Sequence, residues 1–141
     1  MLKVVLDTNV VVTALRSETG GSNAVLREVA AGRVELLATP ALFLEYEAVL
    51  KRPEQRLVHG LTLRQIDRFL AALAEACHPV EVSFQWRPQL NDANDEMVLE
   101  AALNGAADAL VTHNVRDFIV ASGRFGLRVL RPGEFLKELR R

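Results

Sequence analysis

Short apolar runs alternate along the chain with longer segments in which apolar residues recur at helical spacing. Each run is too short for a helix and fits a strand that is buried on both faces. The predicted strands span residues 2–6, 35–38, 79–83, 109–112 and 127–130. This alternation predicts the α/β class, with one domain over residues 1–141, a mostly parallel sheet and helices on both of its faces.

Capping residues and helix breakers set the expected helix boundaries. Gly20–Gly21 separates a helix over 8–16 from a second helix, and Ser22 is the expected cap of that second helix. Thr39–Pro40 and the Thr62–Gln65 capping box start two more helices. The remaining predicted elements are a loop at 84–92, a helix over 95–104 capped by Asn94, a helical turn at 116–118 and a helix over 133–139.

Acidic and polar residues collect where the predicted strands end. The carboxyl ends of parallel strands meet at one edge of the sheet, and ligands bind there. Asp7 directly follows the first strand, and Thr112 ends the fourth. The other residues expected near this edge are Thr8, Asn9, Glu45, Asp92, Asp95, Glu96, His113, Asn114 and Asp117. The sequence therefore predicts a cluster of carboxylates at one edge of the sheet.

A cluster of this kind has a defined chemistry. Carboxylates that share a cleft repel each other, and their pKa values rise unless cations are present. Mg²⁺ and Mn²⁺ prefer oxygen ligands, and two such ions can activate a water and stabilise the leaving oxygen of a phosphodiester. A cluster that holds metal could therefore bind a nucleic acid despite its own acidic residues.

Each acid also has a purely structural interpretation. Asp7 could cap the helix that follows it, and Asp95 with Glu96 could complement a helix dipole. Glu45 and Glu47 both lie about 40° outside the apolar face of their helix, on opposite sides, so spacing does not choose between them. The acids expected to be ordinary surface charges are Glu28, Asp67, Glu75, Glu81 and Glu100.

The balance of charge limits the kind of nucleic-acid contact. The chain carries 17 Lys and Arg against 18 Asp and Glu, and this net charge of −1 argues against binding through bulk positive charge. Residues 123–141 nevertheless carry a net charge of +4, which leaves −5 for the rest of the chain. This basic segment, with Arg128 and Arg131, either holds RNA phosphates near the acids or forms an ordinary solvated helix.

Several other functions are disfavoured. The single cysteine, Cys77, excludes a disulfide framework and a cysteine-based zinc site. No signal peptide is visible and no apolar stretch approaches the roughly 20 residues of a membrane span, so a soluble cytoplasmic protein is expected. A receiver-like phosphoacceptor at Asp7 would need a lysine after a late strand, and none is well placed.

Trp86 is expected to pack beneath its loop, with base stacking as the alternative.

Three ordered motifs resemble those of PIN-domain ribonucleases. They are Val4-Val5-Leu6-Asp7-Thr8-Asn9-Val10, then Asp92-Ala93-Asn94-Asp95 with Ala107-Asp108-Ala109-Leu110-Val111-Thr112, then Asn114-Val115-Arg116-Asp117-Phe118. Two further segments look like those of the VapC-like toxins of bacterial toxin–antitoxin systems: Leu50-Lys51-Arg52-Pro53 and Arg131-Pro132-Gly133-Glu134-Phe135-Leu136. The resemblance spans nearly the whole chain.

This resemblance implies a single PIN-like domain with a five-stranded parallel sheet, and a metal-dependent endoribonuclease that uses Mg²⁺ or Mn²⁺. It implies RNA as the substrate, with a small antitoxin protein and a second copy of the chain as partners. By position, it assigns catalysis to Asp7, Glu45, Asp95 and Asp117, with Asp7, Asp95 and Asp117 as metal ligands, and it selects Glu45 over Glu47. The residues implied to support these acids or to contact substrate are Thr8, Asn9, Asp92, Thr112, Asn114 and Arg116.

One position departs from the family pattern. Many PIN domains have an aspartate where this chain has Asn114, and a neutral amide is a weaker metal ligand. The departure favours either a one-metal mechanism or a second ion that binds only together with substrate, with Asp117 as the substitute acid. The departure also keeps an alternative function open, namely a catalytically weak or inactive PIN-like module that binds RNA or protein.

Overall fold

Five strands pair in parallel and form one sheet within residues 1–85 and 87–140, which the computed structural model describes. The strands are β1 (Leu2–Leu6), β2 (Val34–Ala38), β3 (Cys77–Pro79), β4 (Ala109–Val111) and β5 (Val129–Leu130). Their order across the sheet is β3-β2-β1-β4-β5, and all the pairings are parallel. The predicted α/β class and five-stranded parallel sheet are confirmed. The expectation for Trp86 lies outside the described residues.

Helices fill the connections between the strands. They are α1 (Thr8–Arg16), α2 (Gly21–Ala30), α3 (Pro40–Leu50), α4 (Pro53–His59), α5 (Leu63–Ala76), α6 (Ala93–Asn104), α7 (Ile119–Phe125) and α8 (Pro132–Leu139), with a 3₁₀ turn at Val115–Phe118. The crossovers from β1 to β2 and from β3 to β4 run in opposite directions, so right-handed connections put α1 and α2 on one face and α6 on the other. No helix in the described part of the chain is both long and apolar enough to cross a bilayer.

The register of β1 aligns the ends of the two central strands. Val4, Val5 and Leu6 are fully buried, which explains the apolar run that the sequence shows there. Leu6 pairs with Val111 of β4, and the Asp7 N–H continues this ladder by donating to the Val111 carbonyl at 2.9 Å. Asp7 and the residue after Val111 therefore leave the sheet side by side.

A buried tyrosine connects α3 to the end of β1. The Tyr46 hydroxyl donates a hydrogen bond to the carbonyl of Leu6, and the Tyr46 ring packs edge-on against Phe43 with ring centroids 6.2 Å apart. Tyr46 is completely buried, so its hydroxyl needs a partner inside the protein. Because Glu45 precedes Tyr46, the same contact holds Glu45 near the carboxyl edge of the sheet.

Two helices are absent from the sequence prediction, and both bury very little. None of the residues of α4 is fully buried, and Leu57 and Val58 are among the exposed apolar side chains. In α7 only Ala121 is buried, while Ile119 and Val120 are exposed. Without an apolar stripe facing the core, the 3.6-residue pattern that marks a helix is missing from these segments.

Several predicted boundaries were wrong. The third strand is Cys77–Pro79 rather than 79–83, because its partner β2 ends at Ala38, which pairs with Pro79. Beyond the strand, the Val80 N–H still donates to the Ala38 carbonyl. Ser22 lies inside α2, whose cap is Gly20, and Asp92 rather than Asn94 caps α6 by accepting from the Asn94 N–H at 2.7 Å. The strands predicted at 109–112 and 127–130 are shorter, as β4 and β5.

Two acids of α6 anchor the loop that precedes the helix. Glu100, predicted to be a surface charge, is only 6% exposed and binds the guanidinium of Arg87. Glu96 is also buried, and its carboxylate accepts from the backbone N–H groups of Gln89 and Leu90 at 2.5 and 2.7 Å. Burial of these carboxylates is tolerated because each has its own donors.

We predict that Gly105→Ala destabilises the fold. A Cβ at Gly105, which ends α6, would lie 2.9 Å from both the Ala101 carbonyl oxygen and the Leu37 side chain. The expected loss is about 1–3 kcal/mol in the free energy of unfolding, measured by urea denaturation. The matched control is Gly123→Ala in α7, where no atom lies within 4 Å, and a gain of roughly 0.5–1 kcal/mol is expected. Equal effects at the two glycines would contradict the prediction.

Candidate metal-binding active site

A cleft of about 300 Å³ opens at the carboxyl edge of the sheet. Its walls come from the residues that follow β1 and β4, from α3, and from the start of α6. The sequence-predicted residues that line it are Asp7, Thr8, Asn9, Glu45, Asp92, Asp95 and Asn114. The fold thus gathers side chains from four separate parts of the chain, because parallel pairing brings the strand ends to one edge.

Asp7 is buried at the base of this cleft. It occupies the N-cap position of α1, yet its side chain makes no hydrogen bond of capping geometry there. Its Oδ2 instead accepts from the Thr112 hydroxyl at 2.7 Å. Burial raises the pKa of Asp7, and the hydrogen bond from Thr112 is the largest effect that opposes this rise. The backbone N–H groups of Asn9 and Thr8 also lower this pKa, so the Asp7 carboxylate is held both by Thr112 after β4 and by the first turn of α1.

Thr112 connects this carboxylate to the turn after β4. The Thr112 side chain is fully buried, and its Oγ1 accepts from the Asn114 N–H at 3.0 Å while donating to Asp7. Asn9 braces the same turn, since its Oδ1 accepts from the His113 N–H at 3.4 Å. Both residues hold polar groups in place around Asp7, which is the kind of support that a ligand carboxylate needs.

Asp95 carries the clearest electrostatic signal of a carboxylate cluster. The pKa of Asp95 is raised from its ordinary value of 3.8 to about 6. Burial is the largest cause, followed by repulsion from the carboxylates of Asp7, Asp92, Asp117 and Glu96. Asp117 lies on the exposed 3₁₀ turn and does not line the cleft, but it is close enough to contribute to this repulsion.

The two glutamates of α3 differ in their surroundings. Glu45 is partly buried and lines the cleft. Glu47 instead lies beside Lys51 at 3.4 Å, and Lys51 also pairs with Asp67 at 2.8 Å. Of the two positions that helical spacing left equivalent, Glu45 is the one whose side chain reaches the acidic edge.

Several cleft residues were missed from the sequence. Arg16 at the end of α1, Arg52 just before α4, and Gln55 in α4 all line the cleft. A signal for Arg52 was present in the Leu50-Lys51-Arg52-Pro53 segment, but no role followed from it. Arg16 and Gln55 had no sequence signal, since they meet only when α1 packs on α4. Arg116, in contrast, is exposed on the 3₁₀ turn and does not line the cleft.

Two arginines of the basic C-terminal segment lie beside acids of the same segment. Arg128 makes an ion pair with Glu138, and Arg131 lies 3.8 Å from Glu134. Neither arginine lines the acidic cleft. Arg131 instead lines a neighbouring cleft together with His113, whose Nε2 lies 2.8 Å from the Ser22 hydroxyl. These contacts favour the interpretation of an ordinary solvated helix.

The donors of the acidic cleft suit a hard divalent cation. Carboxylate and amide oxygens are the ligands that Mg²⁺ and Mn²⁺ prefer, and a cation would relieve the repulsion that adds to the effect of burial on the pKa of Asp95. Within residues 1–85 and 87–140, no three acidic, histidine or cysteine side chains are already grouped as a ready metal site. The cleft therefore suits a divalent cation in the type and charge of its donor atoms. The side chains would have to move closer together to coordinate the ion.

A family comparison and a structural comparison agree with this architecture. The family model for the PIN domain matches residues 3–116. A comparison with curated proteins finds no significant match.

Solved structures share the fold at low sequence identity. VapBC-1 from nontypeable Haemophilus influenzae aligns with a TM-score of 0.61 at 18% identity, over 94% of this chain and 99% of that chain. FitAB bound to an IR36 DNA fragment aligns with a TM-score of 0.56 at 18% identity, over 92% and 94% of the two chains. FitAcB from Neisseria gonorrhoeae aligns with a TM-score of 0.52 at 22% identity, over 92% and 98%.

We predict that Asp95→Asn stabilises the metal-free protein at pH 7.5. The folded chain binds a proton at Asp95 with a pKa of about 6, above the ordinary 3.8, so this group's contribution to stability falls as pH rises through that window. Removing the charge should raise the free energy of unfolding by about 1 kcal/mol, after allowance for solvent screening of this partly exposed side chain. Thermal denaturation at pH 7.5 and pH 5 measures the effect, which should shrink at the lower pH.

The control for that prediction is Asp67→Asn. This substitution removes the ion pair between Asp67 and Lys51, so no gain in melting temperature is expected. A comparable gain for both variants would show that loss of any acidic charge stabilises the chain, and the repulsion at Asp95 would then not be the cause.

We also predict that Mn²⁺ raises the melting temperature at pH 7.5 through this cleft. The increase should be present in the parent chain and in Asp67→Asn, and strongly reduced in Asp7→Asn and Asp95→Asn. It should weaken at pH 5.5, because protons compete for Asp95 below its pKa of about 6. Calorimetric titration of Mn²⁺ gives the affinities, and equal affinities in all four proteins would place the bound metal elsewhere.

Proposed function

The chain belongs to the PIN domain family, and we propose that it is a metal-dependent endoribonuclease that serves as the toxin of a toxin–antitoxin pair. The observation that carries this proposal is the cluster of carboxylates around Asp95, whose pKa is raised to about 6 by burial and, after that, by repulsion from its acidic neighbours. Such charge crowding is costly to a fold, and it is typical of sites where acids have a chemical task. Divalent metal ions are generally used by PIN domains.

The partners in this proposal follow from the fold and from its relatives. The similar solved structures are of VapBC-1, FitAB and FitAcB, which supports a small antitoxin protein as the partner of this chain. We further propose RNA as the substrate, a homodimer as the assembly and the cytoplasm as the place of action. The metal in this proposal is Mg²⁺ or Mn²⁺.

The acids divide the proposed chemistry among them. Asp7, Asp95 and Asp117 would hold the cation, directly or through water, and its Lewis acidity would make a water more acidic and offset charge on the phosphate oxygens. Glu45, which lines the cleft from α3, would orient the attacking water and accept its proton. The Thr112 hydroxyl would keep Asp7 oriented through their 2.7 Å hydrogen bond, and Thr8, Asn9 and Asp92 would support the acids from the same walls.

Asn114 supports a second candidate function. It lines the cleft at the position where many PIN domains carry an aspartate, and its neutral amide adds no charge to attract a second cation. A chain with one weak metal site would act slowly or would only bind RNA or protein. Cleavage and binding therefore have to be measured separately.

We predict that the purified chain cleaves single-stranded RNA when Mg²⁺ or Mn²⁺ is added, and that chelation abolishes cleavage. Asp7→Asn, Asp95→Asn and Glu45→Gln should each reduce the rate by about a hundredfold or more, since each removes a charge from the reacting centre. Glu47→Gln is the matched control, because Glu47 lies on the same helix but faces Lys51, and it should retain the parent rate. Cleavage of a labelled RNA pool is followed by gel electrophoresis.

Two results would contradict this assignment. Equal losses in Glu45→Gln and Glu47→Gln would remove Glu45 from the reaction. RNA binding without any metal-dependent cleavage would favour the binding module over the nuclease.

A further inference from the structure

Two arginines line the acidic cleft and have no role in the chemistry proposed above. Arg16 is the last residue of α1, and Arg52 immediately precedes Pro53 at the start of α4. Both side chains line the same cleft as Asp7, Glu45 and Asp95, and both arginines are exposed to solvent. The cleft therefore carries two fixed positive charges beside its carboxylates.

These arginines do not neutralise the acids around them. Among the residues that the structure describes, neither guanidinium lies within 4.0 Å of a carboxylate oxygen. Elsewhere in the molecule, arginines near acids do pair with them, as Arg33 does with Glu28 and Arg87 with Glu100. Because these two guanidinium groups line the cleft without an ion pair to its acids, they are available to bind an anionic ligand.

The two arginines are positioned in the cleft in different ways. The Arg16 guanidinium donates to the side-chain oxygen of Gln55, which also lines the cleft, so α1 and α4 are joined at this point. Arg52 has an extended backbone (φ −62°, ψ 137°), the conformation that the following Pro53 favours. The Arg16 guanidinium is thus held by a side-chain contact, while the backbone of Arg52 fixes only the direction in which its side chain leaves the main chain.

We propose that Arg16 and Arg52 form a phosphodiester-binding subsite that holds an RNA backbone phosphate beside the acid cluster. The proposal rests on the nuclease function proposed above and adds the groups that bring the polyanion to an acidic cleft. Planar guanidinium groups can each give two parallel hydrogen bonds to phosphate oxygens, which fixes the orientation of the backbone as well as its position. The acid cluster would then act on one phosphate, while the arginines bind a neighbouring phosphate of the same RNA strand.

Binding of a fluorescent single-stranded RNA oligonucleotide tests this subsite in the full chain. The Asp7→Asn background prevents cleavage, and anisotropy is measured from 50 to 200 mM salt. Arg16→Gln and Arg52→Gln should each weaken binding by about tenfold. Each should also reduce the slope of log K against log salt by about 0.7, the value for one lost phosphate contact on a single strand.

Two controls separate this loss from general effects. Arg68→Gln removes an exposed arginine of α5 that does not line the cleft, and it should leave both affinity and salt slope unchanged. Arg52→Lys keeps the charge but loses the paired hydrogen bonds, so it should keep the salt slope and lose part of the affinity. Melting temperatures check that each variant is folded, and Arg52→Gln decides the test if Arg16→Gln loosens the contact with Gln55.

The outcomes distinguish this proposal from the proposed function. If the parent chain cleaves RNA while both arginine variants bind with the parent's affinity and salt slope, the subsite is overturned and the nuclease stands. If the parent binds RNA through the arginines but does not cleave it, the subsite stands and the nuclease is overturned. If the parent neither binds nor cleaves RNA, both are overturned.

Discussion

The parallel pairing of β1 with β4 is the constraint on which the rest of the site depends. It puts the Asp7 N–H on the Val111 carbonyl at 2.9 Å, and the next residue, Thr112, then reaches Asp7 Oδ2 at 2.7 Å. A shift of one residue in this register would turn Asp7 or Thr112 to the other face of the sheet. Because Val4–Leu6 of β1 and all of β4 are buried, their apolar side chains hold the register, and the stability of the core is what positions the acid.

Charge crowding at the edge of this sheet works against the stability of the fold. Asp7 is desolvated, and Asp95 is desolvated and repelled by neighbouring carboxylates, so both pKa values are raised. Two other acids of α6 are buried, and each has hydrogen-bond donors of its own. Glu96 accepts two backbone N–H groups, and Glu100 accepts two hydrogen bonds from the Arg87 guanidinium. Charge crowding that lowers stability in this way is common at sites where stability is given up for function.

The sequence predicted those parts of the fold that produce a local pattern. Fully buried strands leave apolar runs, and the Thr39 and Thr62 caps leave a hydroxyl followed by a proline or a glutamine. The pattern failed where burial is slight or where a partner strand sets the boundary. Helix α4 has no buried residue, and β3 ends at Pro79 because its partner β2 ends at Ala38. The start of α6 was misplaced by two residues because Asp92 and Asn94 are both competent caps, and only the backbone geometry chooses between them.

The sequence by itself determined the α/β class, the order of the acids along the chain and the edge of the sheet at which they were expected to meet. These properties depend on local periodicity and on the handedness of parallel connections. Only the tertiary structure decided that Glu45 faces the cleft while Glu47 faces Lys51, and that Arg16 and Arg52 stand among the acids. Contacts between residues distant in the chain depend on how whole helices pack, and no spacing within one segment records that packing.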